Sequence, residues 1–192
     1  LAAAGHDTVP ADPVYPTALG LQGIATWFAA AAADVRAAGL DRRGLQRRTR
    51  RHVALGEWAQ RRGYVREADR AAWRERSIGF FADHSVDVLL TPALATVPPE
   101  AAGWAGRSWR ANMAANIRYA PYAAPWNIAG LPALVVPVGR RPDGLPVAVQ
   151  LVGPPGSELL LLGIAGQFEM QAPWSRHAPG YPRVGTGSPA TA

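Results

Sequence analysis

The chain has 192 residues, 48% apolar and 18% charged, enough to bury a core as one domain or as part of a larger one. It has no cysteine, which excludes a disulfide framework, a thiol nucleophile and any thiolate-held zinc or iron–sulfur centre. All 20 basic side chains are arginine and the net charge is +6, so no side chain here supplies the neutral amine of a Schiff base, a lysine general base or a phosphate-loop lysine.

The chain opens Leu1-Ala-Ala-Ala-Gly5-His6, which reads as the last turn of a helix closed by a C′ glycine, as if the sequence began part-way through an element. No basic-then-apolar leader stands at the start, and the expected location is cytoplasmic. Two uncharged stretches of 21 residues, Pro13–Ala33 and Tyr119–Gly139, are read as non-membrane. The first carries two prolines and two interior glycines among weakly apolar alanines; the second has Pro121, Pro125, Pro132 and Pro137. Residues 18–84 are expected to be helical: Gly20–Ala38 closed by Gly39, then Leu45–Arg62, Gly63, and Val65–His84. The last of these places Trp73, Ser77, Phe80, Phe81 and His84 along one face.

Residues 86–153 change character to short apolar runs punctuated by Pro and Gly. Val86–Thr91, stopped by Pro92, predicts a buried strand. Ala133–Val138 and Leu145–Val152 flank Arg141-Pro-Asp-Gly144 and predict a hairpin, with Pro137 and Pro146 at bulges or strand ends because neither can donate to the ladder. Residues 157–171 predict a helix, apolar nearly all round and buried against a sheet, with Ser157 as its N-cap and Glu158 in its first turn. Together residues 1–181 form the expected structured portion, and residues 182–192 a flexible tail.

Thirteen of the 20 arginines fall between Arg36 and Arg76, against five acids, which gives that segment a net charge of +8. The doublets Arg42-Arg43, Arg47-Arg48, Arg50-Arg51 and Arg61-Arg62 are not interleaved with stacking aromatics, and no helix-turn-helix or RNA-binding signature accompanies them. A solvated helical face is the reading we adopt over a nucleic-acid footprint. His6, His52, His84 and His177 are scattered, so no metal site is proposed. No serine lies in a Gly-x-Ser-x-Gly elbow, and His84-Ser85 with Asp87 is too close in sequence to converge into a triad. Asn127 beside Gly130 and Pro132 predicts a tightly specified loop entering a strand. Such a loop either presents Trp126 and Asn127 to a ligand or simply uses Asn127 as a turn cap above a core Trp126.

Five segments in order carry a family resemblance: Asp87–Pro92, Pro125-Trp-Asn127-Ile-Ala-Gly130-Leu-Pro132-Ala133, Pro137-Val-Gly139, Asp143–Gly153, and Glu158 with the Leu-rich helix to Glu169. The chain resembles the C-terminal half of an amidase-signature enzyme, and Ala4–Val9 resembles the helix-to-strand step after that family's catalytic core. Ala148 departs from the glycine usual there. The resemblance implies an α/β fold, the C-terminal part of a mixed-sheet α/β/α architecture here bearing an Arg-rich helical segment. It also implies hydrolysis of carboxylic amides to acid and ammonia or amine, without a cofactor.

In that family a serine nucleophile is activated by a second serine and a neutral lysine, beside a Gly/Ser-rich oxyanion loop. None of these carries over: this sequence has no lysine and no Gly-Gly-Ser-Ser run, and Gly185-Thr-Gly-Ser188 is not a substitute. By family order the catalytic part would precede Leu1, so no catalytic residue is assigned and the chain alone is expected to be inactive. Thr91, Pro92, Trp126, Asn127 and Gly130 are the residues the resemblance places along the substrate funnel. The alternative from another class is a non-catalytic binding module or partner subunit that uses the Arg-rich face for an anionic ligand. Half of such a sheet is also expected to self-associate through its open edge.

Overall fold

The computed structural model describes residues 1–174. Its helical part begins after a single 3₁₀ turn, Ala2–Ala4, which ends at Gly5 in the left-handed conformation, as the opening glycine predicts. Helix α1 spans Leu19–Ala37, α2 spans Arg47–Arg61 and α3 spans Glu67–Asp83. Each lies within about two residues of its expectation; Gly39 and Gly63 close α1 and α2 with positive φ, and Ser85, at φ 53°, does so after α3. On α3, Trp73, Ser77, Phe80 and Phe81 are buried together. His84 lies just past the helix, its ring 4.5 Å from that of Phe80 and its Nδ1 3.0 Å from the Phe80 carbonyl oxygen.

Strand β1 covers Leu89–Pro92, starting three residues later than the apolar run suggests. Helices α4 (Trp109–Tyr119) and α5 (Ala124–Ala129) follow. Neither was expected. α5 replaces the predicted loop around Asn127: Pro125 sits in its first turn, where a missing N–H costs nothing, and Gly130 closes it at φ 63°. Strands β2 (Ala133–Arg140) and β3 (Pro146–Val152) form the hairpin announced by Asp143-Gly144. Asp143 accepts from the Leu145 N–H at 3.2 Å and from Arg141; the N–H first and then the guanidinium hold its carboxyl below the usual range. Pro146 starts its strand, and Pro137 immediately precedes a bulge at Val138, as their missing donors require.

The three strands are ordered β1-β3-β2, and both pairings are antiparallel. The fold is α/β, as expected. Alternation along β3 divides the core in two. Val152 joins Leu89, Trp73, Phe80, Phe81, Trp126 and Leu131 on the side of α3 and α5. Leu151 joins Val136, Leu161 and Ile164 on the side of α6, which spans Glu158–Gln171.

Two expectations about α6 need correction. Ser157 occupies the N-cap position but makes no capping bond; its hydroxyl is buried close over Gly153, where any Cβ would collide with it. The helix is also buried on one face only, with Leu159 83% and Met170 76% exposed, because three strands offer a surface for one stripe of it. Residues 175–192, including His177 and the expected tail, lie outside the described residues. Among the described residues no helix is long and apolar enough to cross a membrane.

Helices α1 and α2 meet at Gly56, where a methyl group would fall on the backbone of Phe28 and Ala29. Next to this crossing, the His52 ring sits among Trp27, Phe28 and Trp109, with centroids 5.2, 4.9 and 5.4 Å away. Burial there lowers its pKa below 6.5. Gly56→Ala should therefore destabilise the chain by about 1–3 kcal/mol, whereas Gly163→Ala, on an open helical surface, should stabilise it by about 0.5–1 kcal/mol, both read from urea midpoints. The unfolded chain protonates His52 more readily than the folded one, so its contribution is complete above about pH 6.5 and is lost as pH falls. His52→Leu should flatten the acid slope of stability between about pH 7 and about pH 5; an unchanged slope would show that His52 is not its source.

Candidate functional site

The segment singled out by sequence around Asn127, residues 125–133, is held, together with its approach, from three sides. From α3, Trp73 donates its Nε1–H to the Pro125 carbonyl at 2.8 Å, and its ring lies 6.1 Å from that of Trp126. The same helix reaches the far end of α5 with two guanidinium groups. Arg74 donates to the Ala129 and Gly130 carbonyls at 2.7 and 2.6 Å, and Arg70 to the Ile128 carbonyl at 3.2 Å. These are the orphan carbonyls of a short helix, and cations are the favoured partners at that end. Gly130 needs its positive φ, and its missing side chain leaves Arg74 Nη1 room, since a Cβ would lie 3.3 Å away. From α1, Gly23 leaves space for Ile128, whose Cδ1 would be 2.6 Å from a Cβ there.

The third support comes from the sheet. Gln150, 1% exposed in the middle of β3, donates its Nε2–H groups to Thr91 Oγ1 at 3.1 Å and to the Tyr122 carbonyl at 3.2 Å. Thr91 and Gln150 are cross-strand partners, so one buried amide ties the end of β1 to the entrance of α5. Pro92 pairs with Val149 one step further and therefore points to the opposite face.

Of the five residues named from sequence, Thr91 is thus linked to the α5 segment through Gln150, while Pro92 is turned away from it. Trp126 is 1% exposed beneath the segment, and Asn127 and Gly130 are at its surface. Trp126 Nε1 is buried with no hydrogen-bond partner among the described residues.

Two further residues belong to this neighbourhood. The Tyr15 ring stands 5.7 Å from Trp73 and 6.2 Å from Trp126, and burial, then Asp12 and Tyr122, raise its hydroxyl pKa. Gln150 had a signal in sequence, a lone amide inside an apolar strand, which is tolerated only when bonded. Tyr15 had none, because its partners lie more than fifty residues away. The arginine segment is also less idle than a solvated face: Arg48 donates to the Trp104, Ala105 and Arg107 carbonyls, and Arg42 pairs with Glu57. Among the described residues no three of His, Asp and Glu gather in a way that would hold a metal ion.

The Amidase family profile matches residues 1–162. The chain belongs to the amidase family. It is 35% identical over 176 residues to the protein called "Putative amidase AmiB2" of Mycobacterium tuberculosis, covering 91% of this chain and 37% of that protein. To "Putative amidase AmiA2" of the same organism it is 35% identical over 136 residues. Among solved structures it is similar to 6-aminohexanoate cyclic dimer hydrolase, with a TM-score of 0.71 and 25% identity, covering 93% of this chain and 40% of that one. The same hydrolase complexed with substrate superposes with a TM-score of 0.69. This amidase-family chain therefore spans about two fifths of the length of the relatives it matches.

The Gln150 link is the most exposed to test. Gln150→Leu keeps the volume but leaves the Thr91 hydroxyl and the Tyr122 carbonyl unpaired, and should cost about 1–3 kcal/mol in urea unfolding. Adding Thr91→Val should cost less than the sum of the two single changes; full additivity would show that the two side chains do not act as a pair.

Proposed function

We propose that this chain is the C-terminal portion of a carboxylic amide hydrolase, the reaction being amide plus water to acid plus ammonia or amine. The observation that carries this reading is the family match across residues 1–162 combined with coverage of about two fifths of the relatives. The relatives' names speak of amide hydrolysis, and that chemistry comes to this chain as inference. With no lysine and no Gly/Ser-rich run in its sequence, the chain supplies no Ser-Ser-Lys relay of its own. In our reading it is inactive alone and contributes the wall of the substrate site, with nucleophile, base and oxyanion donors coming from another segment.

The proposed wall is Thr91, Pro92, Trp126, Asn127 and Gly130. Thr91 and Asn127 offer hydroxyl and carboxamide groups able to bond an amide, Trp126 shapes the floor and Gly130 sets the backbone at its rim, while Pro92, its ring turned to the opposite face, enters only through the backbone that follows Thr91. The substrate is a small molecule, and no cofactor is invoked because acyl transfer through a preorganised site requires none. The cytoplasm is the proposed compartment. The edges of β1 and β2 and the outward leucines of α6 are the proposed route of self-association when nothing covers them.

Ammonia release from a panel of small amides separates the outcomes. The chain alone should be silent, and its mixture with a separately expressed N-terminal amidase segment carrying the lysine and serines should turn over. Asn127→Ala should then lower the mixture's rate by tenfold or more, an order-of-magnitude expectation for a lost substrate contact. Sustained turnover by the repurified chain alone would overturn the reading.

A further inference from the structure

A cavity of about 470 Å³ opens between α1, α2 and the turn into α3, on the face of α1 opposite to the Gly23 contact with Ile128. Its walls are apolar: Leu21, Ile24 and Phe28 from α1, Leu55 and Trp58 from α2, and Tyr64 from the turn. The Trp58 and Tyr64 rings stand 5.3 Å apart and make a continuous aromatic flank. Gln22 and Arg66 are the polar side chains among its lining residues. The volume lies in the range of small-molecule sites, and a mainly apolar wall with one or two polar groups is how such sites fix orientation.

The charge around this cavity is what selects an occupant. The segment from Arg36 to Arg76 carries +8, and it supplies one wall of the cavity, through Leu55, Trp58, Ala59, Tyr64 and Arg66. Arg66 engages Asp69 through Nε alone, at 2.9 Å, and its Nη groups have no partner among the described residues. Arg61 and Arg62 are exposed at the end of α2, between the lining residues Ala59 and Tyr64, and make no ion pair among the described residues. A guanidinium fork at an apolar mouth suits a carboxylate held by charge-assisted hydrogen bonds, and the surrounding field draws anions and repels amines. A polynucleotide fits less well, because the half-exposed Trp58 and Tyr64 rings lean on each other at one flank of the cavity and do not alternate along a groove.

We propose that the α1–α2 cavity binds a small amphipathic anion, an aromatic or branched-alkyl body closing on a single carboxylate at Arg66. This site is separate from the amide wall and does not depend on that reading.

The test uses the full 192-residue chain and 4-phenylbutanoate as probe, with 4-phenylbutanol and 4-phenylbutylamine as neutral and cationic matches. Binding is followed by calorimetry and by tryptophan fluorescence. The acid should bind saturably, about tenfold or more tighter than the alcohol, and the amine weakest. Arg66→Gln should bring the acid down to the alcohol's affinity and leave the alcohol unchanged. Ala25→Trp, which fills the cavity, should abolish binding of both, and Leu55→Phe serves if that variant misfolds by circular dichroism. Equal affinity for acid and alcohol, no saturable binding, or acid binding that survives cavity filling would each overturn the proposal. So would acid binding lost to dextran sulfate or moderate salt but untouched by the cavity variants, which would mean bulk charge alone.

Discussion

The structure depends on β3 being covered on both faces. Leu151 and Val152 are completely buried, and because successive side chains point opposite ways, each needs its own layer. Val152 finds the aromatic cluster of α3 and α5, and Leu151 finds α6. Those two demands fix where β1, β2, α3, α5 and α6 sit. β1 and β2 flank the strand because its ladder is filled on both sides, and α3 brings Trp73 over Val152's face. Gln150 is the single polar residue in that run, and its two hydrogen bonds turn a desolvation cost into a specific tie between the sheet and the α5 segment.

The exclusive use of arginine has a structural logic that charge counting hides. Three carbonyls at Trp104, Ala105 and Arg107 converge on the guanidinium of Arg48, and two at Ala129 and Gly130 on that of Arg74. A planar, delocalised donor group serves several acceptors at once with little hydration to lose, whereas an ammonium is a compact, strongly hydrated charge. Segments without regular pairing, such as the turn at Trp104–Gly106 and the end of α5, are thereby fastened to α2 and α3. The proposed amide wall inherits its position from that fastening.

Most of the fold could be read from the sequence where the signal was periodic or punctuated. α1 and α2 are closed by Gly39 and Gly63, and the β2–β3 hairpin is announced by Asp143-Gly144 between apolar runs. α5 escaped because six residues with a proline look like a loop; what makes them helical is the cap by Arg70 and Arg74, more than fifty positions away. α4 escaped because none of its residues is fully buried and its polar and apolar residues carry little helical period. Burial of α6 was overstated because composition reports apolarity but not how much sheet is present to cover it. The family resemblance rests on spacing, and the stretch it singles out from Trp126 to Gly130 forms most of α5 and its closing glycine. It could not separate a residue that faces outward, such as Asn127, from one that supports from below, such as Trp126, since both share the same motif.

The bulge at Val138 has a consequence for how this hairpin tolerates changes in length. Val138 has no cross-strand partner: Pro137 pairs with Ala148 and Gly139 with Val147. The residues that face the core, Val136 and Leu134, lie on the other side of it from the turn. A deletion at this position only removes the surplus residue and leaves every inward side chain in register. A deletion three or four residues earlier shifts the strand by one and exchanges its two faces. The bulge thus divides β2 into a half whose length is fixed by the core and a half, with the turn, whose length is free to drift.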